Sequence, residues 1–147
     1  MQASGRSGRG HDAGEVYVQA YDCTHYGIRQ AVRQDYISFF NQEMNYRHIG
    51  GYPPYCYMAA ISFISGREET AVDASWQGAE AFRRHEEIKT LGPSQLPRIA
   101  GEYRQRLVLK GTDRAHLIDL IWQWYGRQEF ARSQLKIQID MDPYVLD

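Results

Sequence analysis

The amino-acid sequence predicts an α+β fold with an antiparallel sheet, and two observations lead to that class. Apolar residues alternate in some segments, as in strands, and recur every three to four residues in others, as in helices. From about residue 55 these patterns follow the order β-α-β-β-α-β, with glycine and proline between segments. A strand and a long helix are predicted ahead of them.

The composition is that of a folded domain without a dominant charge. The chain has 147 residues, 43% of them hydrophobic, so one domain of ordinary size can bury a core. The net charge of −1 means that any nucleic-acid contact must be local. Cys23 and Cys56 lack zinc-ligand spacing and indicate a reducing, cytoplasmic location. No apolar run is long enough to span a membrane, and no signal peptide is expected.

The first fifty residues predict one strand and one helix. Residues 1–14 are rich in glycine and arginine and lack periodicity, so by themselves they are expected to be flexible. Glu15–Tyr21 alternates, which predicts a strand. Tyr26–Tyr46 has the spacing of a single amphipathic helix. The glycines and prolines of Gly50–Pro54 end that helix, and we place the boundary of the main domain there.

The next segments predict a strand, a helix and a short extended piece. Cys56–Ser65 is almost continuously apolar, which predicts a central or doubly buried strand. Glu68–Lys89 has helical spacing, and Leu91 begins a short extended piece before Gly92-Pro93. The predicted inward stripe of the helix consists of Ala71, Val72, Trp76, Ala79, Phe82 and Ile88.

The last third predicts a strand, a helix and a final strand. Tyr103–Lys110 alternates, and Thr112 or Asp113 is expected to cap the helix that follows. Leu135–Met141 predicts the final strand, with its apolar residues facing in. The whole order is the split β-α-β pattern of ferredoxin-like folds, with both helices on one sheet face. The inward stripe of the second helix is Leu117, Ile118, Leu120, Ile121, Trp124 and Tyr125.

A motif rich in glycine and arginine lies near the N-terminus. It reads Q-x-x-G-R-x-G-R over residues 2–9 and resembles the sixth conserved motif of superfamily 2 helicases. A guanidinium is a planar, permanently charged fork for phosphate oxygens, and such an arginine stabilises charge developing on a γ-phosphate. The resemblance gives this role to Arg9 and, less directly, to Arg6. Because the chain has no Walker A loop, we expect no ATP hydrolysis by the chain alone.

Seven segments, spread over essentially the whole chain, resemble the PriA family (primosomal protein N′) of replication-restart DNA helicases. The first is the run Gly5–Gly10 followed by G-E-V-Y-V-Q from Gly14, and the last is I-D-M-D-P from Ile139. Ala20 and Cys23 depart from the family's pattern. The segments between are His25-Tyr26, Asp35-Tyr36 with Phe39-Phe40, Tyr52-Pro53-Pro54, Leu91-Gly92-Pro93, and Tyr103-Arg104 with Leu107-Val108-Leu109.

The resemblance implies a C-terminal fragment of an ATP-dependent 3′-to-5′ DNA helicase that recognises stalled forks and assembles the primosome. Residues 1–24 would end the second motor lobe, residues 25–54 would form a connecting helix and proline turn, and residues 55–147 would form the DNA-binding domain. ATP and Mg²⁺ would belong to the intact motor and zinc to a part outside this chain, with none of them in the fragment. The implied partners are branched and single-stranded DNA, single-stranded DNA-binding protein and other primosome proteins, but no membrane.

Positive charge is concentrated in the last third of the chain. Arg104, Arg106 and Lys110 project from one face of a predicted strand, which is typical of a phosphate-contacting stripe. Lys136 lies on the final strand. An ordinary solvated sheet face is the alternative interpretation. Because the family's domain binds branched DNA, we expect these four side chains to contact DNA.

Two other functions remain open. The resemblance places Arg114 where the family docks the acidic, aromatic-ended tail of single-stranded DNA-binding protein, although Ile118 stands at a neighbouring position that is polar in the family. The chain could therefore be a non-catalytic protein-interaction domain. Asp140 and Asp142, with Asp22, could instead hold a divalent metal for nuclease chemistry, against the simpler interpretation of solvated carboxylates. The histidines show no ligand spacing, and Trp76, Trp122 and Trp124 are expected in the core.

Overall fold

The computed structural model describes residues 15–127 and 134–144, which divide into two compact units between Gly50 and Gly51. The first unit contains the helices α1 (Tyr26–Val32) and α2 (Tyr36–Gly50). The division into three segments ending at residues 24, 54 and 147 stays a prediction. The second unit contains β1 (Tyr57–Ser65), α3 (Glu68–Arg83), β2 (Lys89–Ile99), β3 (Glu102–Gly111), α4 (Arg114–Gly126) and β4 (Lys136–Met141).

The four strands of the second unit form one antiparallel sheet in the order β2-β3-β1-β4. The predicted α+β class and the β-α-β-β-α-β order are confirmed. Strand β1 is interior, and Ile61 in it lies opposite Leu107 of β3 and Ile139 of β4. Because side chains alternate between faces, this register collects apolar side chains from three strands on one face.

The core lies between that face and the helices α3 and α4. Trp124 of α4 packs against Phe63 of β1 and Phe82 of α3, with ring centroids 6.0 and 5.1 Å away. Each of these side chains is almost fully buried, and burial of one such side chain contributes about 2 kcal/mol. The predicted inward side of β4 is confirmed, because Ile137, Ile139 and Met141 pack against this core.

Helix α3 departs from the sequence prediction at its end and in its stripe. It ends at Arg83 rather than Lys89, because residues from Lys89 onward pair with β3 in an eleven-residue strand. Trp76 is 51% exposed and Trp122 in α4 is 61% exposed, so placing them in the core was wrong. Small residues face the sheet instead, and a Cβ on Gly78 would stand 2.9 Å from the Phe63 ring, which shows how closely the helix approaches.

The start of α4 agrees with the sequence. Asp113 is its N-cap, and its Oδ1 accepts a hydrogen bond from the backbone N–H of His116 at 3.1 Å. This bond satisfies one of the four N–H groups that a helix start leaves without partners. No helix within the described ranges is long and apolar enough to cross a membrane.

The first unit corrects two predictions. Glu15–Tyr21 is not a strand, since none of these residues pairs with another strand. An alternating segment forms a strand only where a partner strand accepts its hydrogen bonds. The single helix over Tyr26–Tyr46 is two helices, because Gln34 takes a left-handed φ of 55°. Asp35 then caps α2, accepting hydrogen bonds from Ser38 N at 2.9 Å and Ser38 Oγ at 2.6 Å.

Candidate nucleic-acid interface

The predicted cations lie on the sheet face opposite α3 and α4. Phe63 points to the helices, so the alternate residues of β1 and their cross-strand neighbours point the other way. Arg104 lies opposite Ile64, which in turn lies opposite Lys136, so a cation flanks Ile64 on each side. The predicted division of β3 into an apolar and a cationic face is confirmed.

A fifth cation on this face was missed by sequence reasoning. Lys89 of β2 lies directly opposite Lys110 of β3, and both therefore share the outer face. The helical spacing of apolar residues continues to Lys89, so the sequence places this lysine in the helix and not in a strand. The signal that could have shown it is Thr90, a β-branched residue two positions before Gly92-Pro93.

Two rows from Lys110, Arg106 occupies the centre of this face. Its Nε and Nη1 are buried and have no hydrogen-bond partner among the described residues. Its neighbours across the sheet are Ser62 of β1 and Ser94 of β2, which carry no charge. A buried donor without an acceptor costs about 1–3 kcal/mol, so the guanidinium would gain from an anionic ligand once the side chain turns these nitrogens to the surface.

Lys110 has a different environment. It is 6% exposed, and its Nζ lies 3.3 Å from the centroid of the Tyr52 ring. A cation at that distance is attracted by the negative face of the ring. Lys110 therefore contributes positive potential to the face while its ammonium stays against the aromatic ring.

A cleft of about 370 Å³ adjoins the row of Arg104 at the end of β1. Glu102 is its acidic residue, and Asp140 of β4, which lies opposite Ala60, is a second acid on the outer face. Among the described strand residues, the face thus combines five cations with two acids. The cleft is lined by Ile64, Ser65, Gly66, Arg67, Glu102, Gln134, Leu135 and Lys136.

Arg114 lies apart from these cations, at the start of α4. Its Nε donates to Oδ2 of Asp142 at 3.1 Å, and both side chains are about half-exposed. Asp142 has a left-handed φ of 55°, and its N–H donates to the carbonyl oxygen of Met58 at 2.8 Å. The ion pair therefore joins the start of α4 to the end of β4.

The other candidate residues do not assemble into a reactive site. Asp142 is ion-paired, and the described part of the chain contains no group of three or more His, Cys, Asp or Glu residues arranged to hold a metal ion. The nuclease hypothesis therefore has no ligand set there. Glu87 accepts from His116 Nε2 at 2.9 Å, and this hydrogen bond lowers the pKa of the Glu87 carboxyl. Arg6 and Arg9 lie outside the described residues.

Comparison with known protein families gives a match over most of the chain. Residues 48–144 match the family described as the primosomal protein N C-terminal domain. Replication restart protein PriA of Bacillus subtilis (strain 168) is 34% identical over 153 aligned residues, covering 99% of this chain and 19% of the relative. The proteins of the same name from Synechocystis sp. and Haemophilus influenzae are 29% and 27% identical. The chain spans about a fifth of the length of these relatives.

A solved structure also shares the fold. The de novo designed protein Foldit4 superposes with a TM-score of 0.50 at 12% sequence identity, covering 61% of this chain and 99% of the designed chain. At that identity the likeness concerns the fold alone.

Proposed function

The chain belongs to the primosomal protein N C-terminal domain family, and from that premise we propose that it is the DNA-binding part of a replication restart protein. The names of the relatives indicate replication restart as the process, and the cationic sheet face is the surface that would contact DNA. In the longer protein that we propose, an ATP-dependent 3′-to-5′ DNA helicase, Arg6 and Arg9 would contact the γ-phosphate of ATP. Mg²⁺ and zinc would be held by parts outside this chain.

One observation carries the DNA proposal. The buried nitrogens of Arg106 have no protein acceptor and lie among four other cations of the same sheet face. The planar guanidinium can donate two parallel N–H bonds to two oxygens of a phosphate group. We assign the central phosphate contact to Arg106, with Arg104, Lys136 and Lys89 contacting flanking phosphates.

This arrangement predicts binding that does not depend on base sequence. Cations on a sheet face reach phosphates, which position a protein on nucleic acid without reporting the bases. Each neutralised phosphate releases counterions, so the logarithm of the affinity falls with the logarithm of the salt concentration by about 0.9 per contact. Four contacts give an expected slope of about −3.6 on duplex DNA.

The test is a fluorescence anisotropy titration of labelled forked DNA with the 147-residue chain at several salt concentrations. The double variant Arg104→Glu/Arg106→Glu is expected to weaken affinity by about tenfold or more and to reduce the magnitude of the salt slope by about 2. The charge-matched control is Arg29→Glu/Arg33→Glu in the helical unit. Equal affinity of both variants, or no binding by the parent chain at low salt, would refute the proposal.

A second candidate function, the docking of a partner's acidic tail at Arg114, has its own support. Arg114 already binds a carboxylate, that of Asp142, at a half-exposed position. A carboxylate of single-stranded DNA-binding protein's tail would compete with Asp142 for the same guanidinium.

Two variants test that candidate with a labelled acidic peptide that ends in phenylalanine. Arg114→Glu is expected to abolish binding. Asp142→Asn is expected to tighten it, because Arg114 then loses its internal competitor. If Asp142→Asn leaves the affinity unchanged and Arg114→Glu has no effect, docking at Arg114 is excluded.

A further inference from the structure

A groove runs between α3 and α4, on the side of the second unit opposite the cationic sheet face. Its volume is about 350 Å³, and it is bounded by the last turn of α3 and the second half of α4. Its floor is formed by the apolar side chains of Phe82, Leu120 and Trp124, which belong to the hydrophobic core. These three side chains are 2%, 9% and 7% exposed, so the groove ends on a narrow apolar seat at the edge of the core.

Basic side chains border this seat, and among the residues that the structure describes no acidic side chain lines it. Arg84, His85 and Arg127 are the titratable residues of the lining. Arg84 and Arg127 are exposed, and neither has an ion pair or a side-chain hydrogen bond within the described ranges. His85 approaches Glu87 at 3.5 Å, which turns that carboxylate to the histidine rather than to the arginines.

The positions of the two arginines add to this charge argument. Arg84 is the C-cap of α3 and Arg127 is the C-cap of α4. A cation near a helix C-terminus offsets the partial negative charge there, which accounts for one basic residue at each end. The charge at the helix ends does not explain why Arg84 and Arg127 line the same groove above an apolar floor.

We propose that this groove docks an acidic peptide segment of a partner protein that carries one bulky apolar side chain. The apolar side chain lies on Phe82, Leu120 and Trp124, and flanking carboxylates pair with Arg84 and Arg127. Clusters of arginines recognise acidic peptide motifs in this way. The groove is distinct from the position of Arg114, which pairs with Asp142 at the other end of α4.

Nucleic acid fits this groove less well than a peptide does. A phosphate backbone requires a line of cations, as on the sheet face, whereas two arginines here border an apolar seat. An acidic peptide matches both features at once, because carboxylates and an apolar side chain alternate at short spacing along one chain. The partner therefore belongs to the class of acidic peptide segments.

The experiment is an anisotropy titration of the 147-residue chain with a labelled ten-residue peptide of aspartates around one central phenylalanine. Arg84→Glu/Arg127→Glu is expected to weaken binding by about tenfold or more. The charge-matched control Arg29→Glu/Arg33→Glu is expected to leave the affinity within about twofold. Replacing the phenylalanine of the peptide with serine is expected to weaken binding as well.

Each remaining outcome contradicts the proposal in its own way. If Arg114→Glu alone abolishes binding, the peptide binds at Arg114 and not in the groove. If the serine peptide binds as tightly as the phenylalanine peptide, the groove attracts the peptide by charge alone and binds no apolar side chain. If Arg84→Glu/Arg127→Glu weakens forked-DNA affinity instead, the groove contacts nucleic acid. Thermal melts followed by circular dichroism show that every variant is folded.

Discussion

Gly92 lies in β2 where that strand passes close to β3. Its φ is 95°, and a Cβ at this position would stand 2.8 Å from the carbonyl oxygen of Arg106 and 3.1 Å from the backbone nitrogen of Ser94. The pairing of β2 with β3 shifts its register at the same place. A glycine therefore sets the spacing of the two strands beside the central arginine of the cationic face.

Gly92→Ala is expected to lower the free energy of unfolding by about 3 kcal/mol. The left-handed φ costs an alanine about 1–2 kcal/mol, and the contact with a backbone oxygen adds about 1–3 kcal/mol. Gly101→Ala is the matched control, because Gly101 has a φ of 82° but no atom within 4 Å of its would-be Cβ. It should cost only about 1 kcal/mol. Equal losses in urea denaturation would show that Arg106's carbonyl does not limit position 92.

Single cations were partly predictable from sequence. Alternation in β3 placed Arg104 and Arg106 on one face, because that pattern depends only on consecutive residues. Lys89 was not predicted to lie on this face, because its place depends on where α3 stops and the helical spacing continues to Lys89. The unpaired nitrogens of Arg106 depend on Ser62 and Ser94, which come from two other strands.

Among the helices, α4 depends on its cap. Asp113→Ala is expected to destabilise the second unit by about 1 kcal/mol, because the N–H of His116 loses its acceptor. Asp119→Ala in the middle of α4 is the control and should be within about 0.5 kcal/mol of the parent. Both values come from the midpoints of chemical denaturation. A loss at position 119 as large as that at position 113 would argue against capping.

Helices α1 and α2 are joined by a polar contact. The hydroxyl of Tyr26 donates to Oε2 of Glu43, and Nε of Arg47 donates to Oε1 of the same carboxylate at 2.6 Å. The Tyr26 hydroxyl, and then Arg47, lower the pKa of Glu43 below 4.5. The Glu43 carboxylate raises the pKa of Tyr26 to about 12.

This contact predicts how the helix pair responds to acid. A carboxyl whose pKa is lower in the folded state stabilises that state above its unfolded pKa, and the stabilisation is lost as pH falls through the folded value. We expect the NMR titration of the Glu43 carboxyl carbon to have a midpoint below 4.5. In Tyr26→Phe the midpoint should rise, and more than in Arg47→Gln. A midpoint that stays unchanged in Tyr26→Phe would contradict the assigned cause.

The elements themselves were predictable where their pattern was strong. The strands β1, β3 and β4 were located to within a residue or so. The patterns of β3 and β4 alternate, and the apolar run of β1 is short and lies between Pro54 and Gly66. The break between α1 and α2 was not predictable from periodicity, since apolar residues continue in phase across Gln34. Only the left-handed backbone at Gln34 and the Asp35 cap end one helix and begin the next.

At the scale of the whole molecule, stability is unevenly divided between the two units. All the buried residues of the core cluster belong to residues 59–135, within the second unit. Helices α1 and α2 contain no buried residue. A helix pair without a buried face gains little from packing, and short helices by themselves are marginal in water.

We therefore expect a segment of residues 51–147 to unfold cooperatively, with a midpoint within a few degrees of that of the full chain. A segment of residues 15–50 is expected to lack a cooperative transition. Near-ultraviolet circular dichroism follows the unfolding of residues 51–147 directly, because all three tryptophans lie in the second unit. A non-cooperative melt of residues 51–147 would show that the core needs the helical unit.

The sequence by itself determined the order of the elements in the second unit and the inward and outward sides of its strands, since both follow from the local spacing of apolar residues. Tertiary structure decided which of these residues meet. It brought Lys136 into one row with Arg104, paired Arg114 with Asp142, buried Trp124 and left Trp76 and Trp122 exposed. The reason is that strand register and helix packing depend on residues far apart in the chain, and a local pattern does not encode them.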